Sequence, residues 1–410
     1  MKEKQKNNFM LLILLSNMFI IMTGIGLIIP IMPTIIHEFD AGGQTLGFLI
    51  ATFSFAQFLF SPIAGDLSDR FGRKKIIIVG LVLFAFSQVL FGMANQLWMM
   101  YVARALGGIG GAFIIPSMMA YVADITTIEN RAKGMGSLGA SMSLGFVVGP
   151  GVGGFLAEFG LKVPFFTAAT VSIIAAVVST VFLPEPHQTL KKAATAPSRK
   201  KKEGLFKQLL LSVKTPYFPL LIMMLTLSFG LANFQSTISL FTDVKFGFTP
   251  MDISILIVTA GIMGVIVQAF VLDRMLRRFG EMRVINVSLV VAATAMLSLL
   301  LAQGFWSVLG VTAVFFIAAS LSRPAINTMV SKMAGDEQGF AAGMNNAYMS
   351  IGNVIGPAIA GTLLDIDLSI PYIFGAGVIM ICLLISIKWT KSRKAAGDLE
   401  RNIGYGQRSN

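Results

Sequence analysis

The sequence predicts an all-α membrane protein of twelve transmembrane helices in two six-helix pseudo-symmetric bundles, on three observations. The 410 residues are 55% hydrophobic and only 13% charged, where soluble domains carry roughly 25% charged residues. The apolar residues fall into blocks long enough to cross a bilayer, which takes about 20 residues of helix. A fixed offset relates the second half of the chain to the first. The blocks are continuous and lack period-two alternation, so they are helices rather than barrel strands. One cysteine, Cys382, and two histidines, His37 and His187, exclude a disulfide scaffold and leave little for a metal centre or a Ser-His-Asp triad.

The first block runs from Asn7 to Ile36, 30 residues without Lys, Arg, Asp, Glu or His. It is too long for a signal-peptide core and has no convincing cleavage site. Further blocks cover 44–65, 76–94, 98–123, 134–157 and 164–183, then 217–242, 251–272, 284–303, 307–330, 340–364 and 371–387. Between the two sets, Pro184 to Pro216 is polar and carries Arg199, Lys200, Lys201 and Lys202 in a row. It reads as a flexible cytoplasmic linker with a surface helix near Leu205–Leu211. The domain plan is an N-terminal bundle over 1–183, a linker over 184–216, and a C-terminal bundle with its tail over 217–410.

Charge fixes the orientation. With the N-terminus in the cytoplasm, 28 of the 32 Lys and Arg fall on the cytoplasmic side. Only Lys162 and Lys245 face the other way, and Arg104 and Arg323 lie inside spans. The positive-inside rule then places both termini in the cytoplasm. The net charge of +12 is therefore topological and calls for no nucleic-acid partner.

The halves repeat. Adding 207 carries Gly136, Met142, Ser143, Gly145, Gly149, Pro150, Gly154, Glu158 and Pro164 onto Gly343, Met349, Ser350, Gly352, Gly356, Pro357, Gly361, Asp365 and Pro371. An offset of 208 carries Arg70-Phe71-Gly72 onto Arg278-Phe279-Gly280. Parallel six-helix repeats are the mark of a transporter with a site near the membrane midplane between its halves.

Two segments stand out within the repeats. Gly65-Asp66-Leu67-Ser68-Asp69-Arg70-Phe71-Gly72-Arg73-Lys74-Lys75 follows span two; there Asp69 either caps a helix or pairs with a cation. In span five, Gly145, Gly149, Pro150, Gly151, Gly153 and Gly154 place small residues and a proline at helical spacing, which allows close packing and weakens the backbone ladder.

On these residues the chain resembles the major facilitator superfamily. GDLSDRFGRKK is similar to its motif after helix two, GFVVGPGVGG to the helix-five motif of its drug:proton antiporters, and Arg104-Ala-Leu-Gly107-Gly108 to its helix-four motif. The resemblance is closest to Gram-positive multidrug efflux pumps of the Bmr and NorA type, through GIGLIIPIMP (24–33), ADITT (123–127), SRPAI (322–326) and MAGDEQGFAAGMN (333–345). It implies a monomeric plasma-membrane exporter of small amphiphilic drugs, energised by the proton gradient and needing no cofactor. Asp69, Arg73 and Asp124 would form the cytoplasmic gating network and Arg104 would serve proton transfer. Ile25, Ile29, Ser143, Phe146, Gln235, Ser320, Arg323 and Asn353 would line the drug cavity. An importer, a facilitator or a lipid flippase is the alternative of the same fold. No GxxxxGK[ST], HExxH or CxxC is present to support an enzyme.

The chain departs from that family at two positions where its relatives often carry carboxylates, Gln235 in span seven and Ser320 in span ten. None of its twenty acidic residues lies near the centre of a span. Proton coupling then falls to a peripheral carboxylate, Asp124 or Glu158, or is weak, or Gln235 is itself a neutralised glutamate. A cavity with arginine and glutamine but no central carboxylate disfavours permanent cations and favours neutral, zwitterionic or anionic amphiphiles.

Overall fold

In the computed structural model, residues 2–186 and 205–406 are described. His187 and the basic run Arg199–Lys202 lie outside them. Among the described residues, twelve helices are long and apolar enough to span a membrane. Spans one to six are Asn7–Gly26, Gly43–Phe71, Arg73–Gly92, Leu97–Ile125, Asn130–Ala157 and Val163–Phe182. Spans seven to twelve are Phe218–Phe246, Pro250–Phe270, Glu281–Leu301, Phe305–Ala334, Gln338–Ile366 and Ile370–Thr390. The fold is all-α, and the two ends of the spans are called here the basic face and the opposite face.

Three boundaries differ from the sequence reading. The apolar block 7–36 is not one helix: span one stops at Gly26, and a turn leads into a short helix, Met32–Glu38. Pro30 and Pro33 account for the break, because proline removes a donor and restricts the residue before it. Span eight stops at Phe270 rather than 272, and a separate short helix, Leu272–Phe279, carries Asp273, Arg277 and Arg278 along the basic face. Span two runs through Asp69 to Phe71, so the segment after it is helical up to a one-residue link at Gly72. Within the described part of the central linker, Leu205–Ser212 is a helix.

Gly72 and Gly280 show what the second offset means in space. Both have positive φ, 101° and 78°, and each joins a helix on the basic face to the span that follows. Only glycine takes that backbone without strain. The tryptophans obey the same offset: Trp98 and Trp306 stand at the opposite-face starts of spans four and ten, with 61% and 79% exposure, as suits indole rings at a membrane interface.

The first offset is a packing rule. In span five, a Cβ on Gly145 would stand 2.5 Å from the Phe19 carbonyl oxygen, and one on Gly149 would stand 2.7 Å from that of Thr23. In span eleven, Gly352 and Gly356 hold the same relation to the carbonyls of Leu225 and Phe229 in span seven, at 2.6 and 2.8 Å. The second glycine pair carries on the pattern. Gly154 meets Ser254 and the Pro250 carbonyl of span eight, while Gly361 meets the Gly43 carbonyl and Gly47 of span two. Without a side chain at these positions, helices approach backbone to backbone, where dispersion supplies what the hydrophobic effect does not inside a bilayer.

These crossings explain how the chain clusters in space. One compact unit holds the described part of Met1–Lys202 with Gln235–Thr259 and Pro357–Leu368; the other holds the described part of Glu203–Phe234, Ala260–Gly356 and Ser369–Asn410. The linker divides the sequence; in the first unit the opposite-face ends of spans seven, eight and eleven join spans one to six. Gly145→Val and Gly352→Val are each expected to lower stability by about 1–3 kcal/mol through overpacking. Gly139→Ala, where a Cβ meets nothing, should leave it unchanged or slightly raised. Thermal unfolding of the detergent-solubilised protein checks all three.

Candidate functional site

Near the middle of the spans, among the described residues, charge is confined to two guanidinium groups. Arg104 of span four is 7% exposed. Its Nε donates to the Leu49 carbonyl at 3.2 Å, and its Cζ sits 4.8 Å from the centre of the Phe53 ring. It lines a narrow cavity in the first unit with Ile25, Ile28, Phe53, Phe84 and Gln88. Gln88 donates to the Gly24 carbonyl at 3.0 Å, which fixes the amide beside the guanidinium. Arg323 of span ten lies in the second unit, and its buried Nε has no acceptor. Neither arginine has a carboxylate partner among the described residues.

The other residues expected to line a drug site fall as follows. Ile25 and Phe146 pack against one apolar cluster of the first unit. Ile29 is half-buried in the turn after span one, and Ser143 is exposed on span five. Gln235 is half-buried in the first unit; Ser320 and Asn353 are half-buried in the second. The Ser320 hydroxyl is spent on the Ile317 carbonyl at 2.8 Å. Gly145, Gly149, Gly153 and Gly154 serve the helix crossings, and Pro150 presents its carbonyl to the Ser254 hydroxyl at 2.8 Å.

On the basic face, Arg73 is the hub of the first unit. It pairs with Asp69 at 2.6 Å and with Asp124 at 3.3 Å, and donates to the Ser68 hydroxyl at 3.2 Å. Arg73 and Asp124 are nearly buried, with 10% and 8% of their side chains exposed. Of its two possible roles, Asp69 takes the ion pair. Span three is instead capped by Glu185, which sequence reasoning did not single out. Its carboxylate accepts the backbone N–H groups of Arg73 at 2.5 Å and Lys74 at 3.1 Å. The buried Tyr121 hydroxyl donates to the carbonyl of Pro184 and so fixes the approach of Glu185. Burial pushes the Glu185 carboxyl above the usual carboxylate range, against the pull of its two backbone donors and of Arg73 and Lys75. The clue in the sequence was negative: span three follows Gly72, which has no side chain to cap the helix. Glu158, the other acidic candidate, stands exposed at the opposite-face end of span five.

Glu185→Ala removes both acceptors from the first turn of span three and is expected to cost about 1–2 kcal/mol. Hydrogen–deuterium exchange at the Arg73 and Lys74 amides should accelerate, and exchange at the wild-type rate would show that Glu185 does not hold that end.

The sequence profile described as Major Facilitator Superfamily matches residues 14–334 and 269–403. The chain is 41% identical to "Multidrug resistance protein 2" of Bacillus subtilis (strain 168), over 97% of this chain and 98% of that one. It is 43% identical to "Multidrug resistance protein 1" of the same organism, over 94% and 97%. It is 36% identical to "Quinolone resistance protein NorA" of Staphylococcus aureus (strain Mu50 / ATCC 700699), over 90% and 94%. Among solved structures, a bacterial homolog of the human lysosomal transporter Spinster aligns with a TM-score of 0.75 at 16% identity, covering 94% of this chain and 97% of that one. The nucleoside transporter NupG aligns with a TM-score of 0.75 at 14% identity, covering 93% and 99%. With twelve spans, repeated glycine crossings and a match over nearly its whole length, this chain is a multi-pass membrane protein that belongs to the major facilitator superfamily.

Proposed function

We propose that the protein is a secondary active multidrug efflux transporter. It acts as a monomer in the plasma membrane of a Gram-positive bacterium, with both termini cytoplasmic. It exports small amphiphilic drugs, fluoroquinolone-like and neutral or zwitterionic, by alternating access in exchange for protons. The observation that carries this reading is the near full-length relatedness to proteins named for multidrug and quinolone resistance. The distribution of basic residues supports the orientation.

The substrate class follows from the two arginines. A buried guanidinium without a counter-ion is costly, and each is a ready partner for a drug carboxylate, whose two oxygens match its donors. Gln235 and Ser320 offer no charge to a permanent cation. A zwitterionic drug satisfies these groups better than an ethidium-like dye does. The bilayer is the remaining partner, and no nucleic acid or cofactor enters.

Inside-out vesicles with an imposed pH gradient test the reading. Uptake of a fluoroquinolone should rise with the gradient and stop when it is collapsed. Arg323→Gln is expected to reduce uptake of a carboxylate-bearing drug about tenfold while leaving a neutral one within about twofold. A preference for quaternary ammonium compounds over neutral drugs would overturn the substrate class, and uptake indifferent to the gradient would leave a facilitator. Gln235→Glu should improve transport of monovalent cations and change its pH dependence if position 235 governs charge selection.

A further inference from the structure

We propose that Asp365 is a proton-sensitive latch on the external gate. Ionised, it closes span eleven onto span two; protonated from outside, it lets them part. The inference rests on the alternating-access reading above, with the opposite face external.

Span two begins at Gly43 after Gly42, whose backbone is extended and whose position supplies no capping side chain. The first amides of a helix lack partners within it. Here two of them are taken by a residue 322 positions away: the Asp365 carboxylate accepts from Gly43 N at 2.5 Å and from Gln44 N at 2.8 Å. A carboxylate at a helix N-terminus is stabilised in its charged form by the aligned peptide dipoles and by charge-assisted hydrogen bonds. Gly42 makes room for it, since a Cβ there would stand 2.5 Å from Asp365 Oδ1. Directly below, Gly43 and Gly47 lie against Gly361 and the Pro357 carbonyl. Latch and helix crossing are therefore one closure.

The internal repeat singles this closure out. By the offset of 207, Gly154, Pro150 and Glu158 correspond to Gly361, Pro357 and Asp365, and Gly154 meets Ser254 as Gly361 meets Gly47. In the equivalent crossing of spans five and eight, Ser254 donates to the Pro150 carbonyl, and span eight caps itself. There Asp252 accepts from the Thr249 amide at 3.0 Å and hydroxyl at 2.7 Å, and returns its own amide to that hydroxyl at 3.2 Å. Glu158 reaches no amide of span eight among the described residues. Of two equivalent crossings, one is locked by a titratable group from a distant span.

The contacts of the Asp365 carboxylate are the two amides of the helix terminus. Asp367 follows it on span eleven; His37, Glu38 and Asp40 precede span two; Asp243 and Lys245 end span seven. His37 is engaged with Asp243 at 2.9 Å, and no cation pairs with Asp365 among the described residues. Asp365 is exposed, so protons from external water reach it without crossing the membrane.

The test uses the full chain in nanodiscs, in a Cys382→Ser background, with nitroxides at Phe48→Cys and Thr362→Cys, both exposed positions. Electron–electron resonance distances are read at neutral and acid pH. Acidification should populate a longer distance in the otherwise wild-type protein. Asp365→Asn should shift the closed-to-open ratio about tenfold toward open at neutral pH and remove the acid response, while Asp365→Glu keeps it. Gly47→Val, which wedges the crossing, should give the long distance at any pH and so shows that the labels read the gate. A wild-type distribution in Asp365→Asn, or an acid response that survives there, overturns the proposal. No drug is needed, so failed drug export with an intact distance response would remove the efflux reading and leave the latch standing.

Discussion

Backbone must touch backbone for these helices to hold together, because lipid removes the hydrophobic reward for burying a side chain against another helix. Glycine is the residue that permits it, and its placement dictates much else. Gly145 and Gly149 seat span five on the carbonyls of span one; Gly352 and Gly356 seat span eleven on those of span seven. One turn further, Gly154 and Gly361 turn to spans eight and two. The same two helices therefore carry both the cohesion of a repeat and a crossing at the opposite face. A helix that serves both contacts cannot tilt without exchanging one for the other.

Close approach leaves no space for side chains to finish the hydrogen bonding of helix ends. Span two starts behind Gly42 and span three behind Gly72, and neither has a side-chain cap from its own sequence. Both ends are completed by carboxylates borrowed from elsewhere, Asp365 and Glu185. Charge excluded from the centre of the spans thus reappears at their ends, where a helix terminus supplies its counter-charge; Asp365 stands in water, while Glu185 is half-buried. Arg73, between Asp69 and Asp124, adds side-chain pairing to the same principle on the basic face.

What could be read in the sequence follows from the range over which each force acts. The spans were legible because hydropathy is local, and the repeat because glycine spacing survives wherever backbones meet. The break after Gly26 was legible in principle from Pro30 and Pro33, but the absence of charge over the whole block masked it. The roles of Glu185 and Asp365 were not legible, since a cap borrowed across 112 or 322 residues leaves no local pattern. Its only trace is a helix start with glycine where Ser, Thr, Asp or Asn would stand. Arg104 and Arg323 could be named from sequence, but that Arg323 Nε is buried without an acceptor could not.

On the proposed reading, charge selection and energy coupling are separated in space. When a central carboxylate binds both drug and proton, each displaces the other, and a cationic drug is favoured because it replaces the proton charge for charge. On the same proposed reading, the groups offered to a drug are guanidinium and amide, which do not exchange protons in the working range. On the proposed latch, coupling would act through conformation: a proton that weakens a closed end would change which side of the membrane the binding groups face, without competing for them. Linkage requires the drug to favour one of the two states in turn. Such a transporter can move neutral and zwitterionic molecules on the same gradient, because the proton is counted at the gate and the drug's charge is read elsewhere.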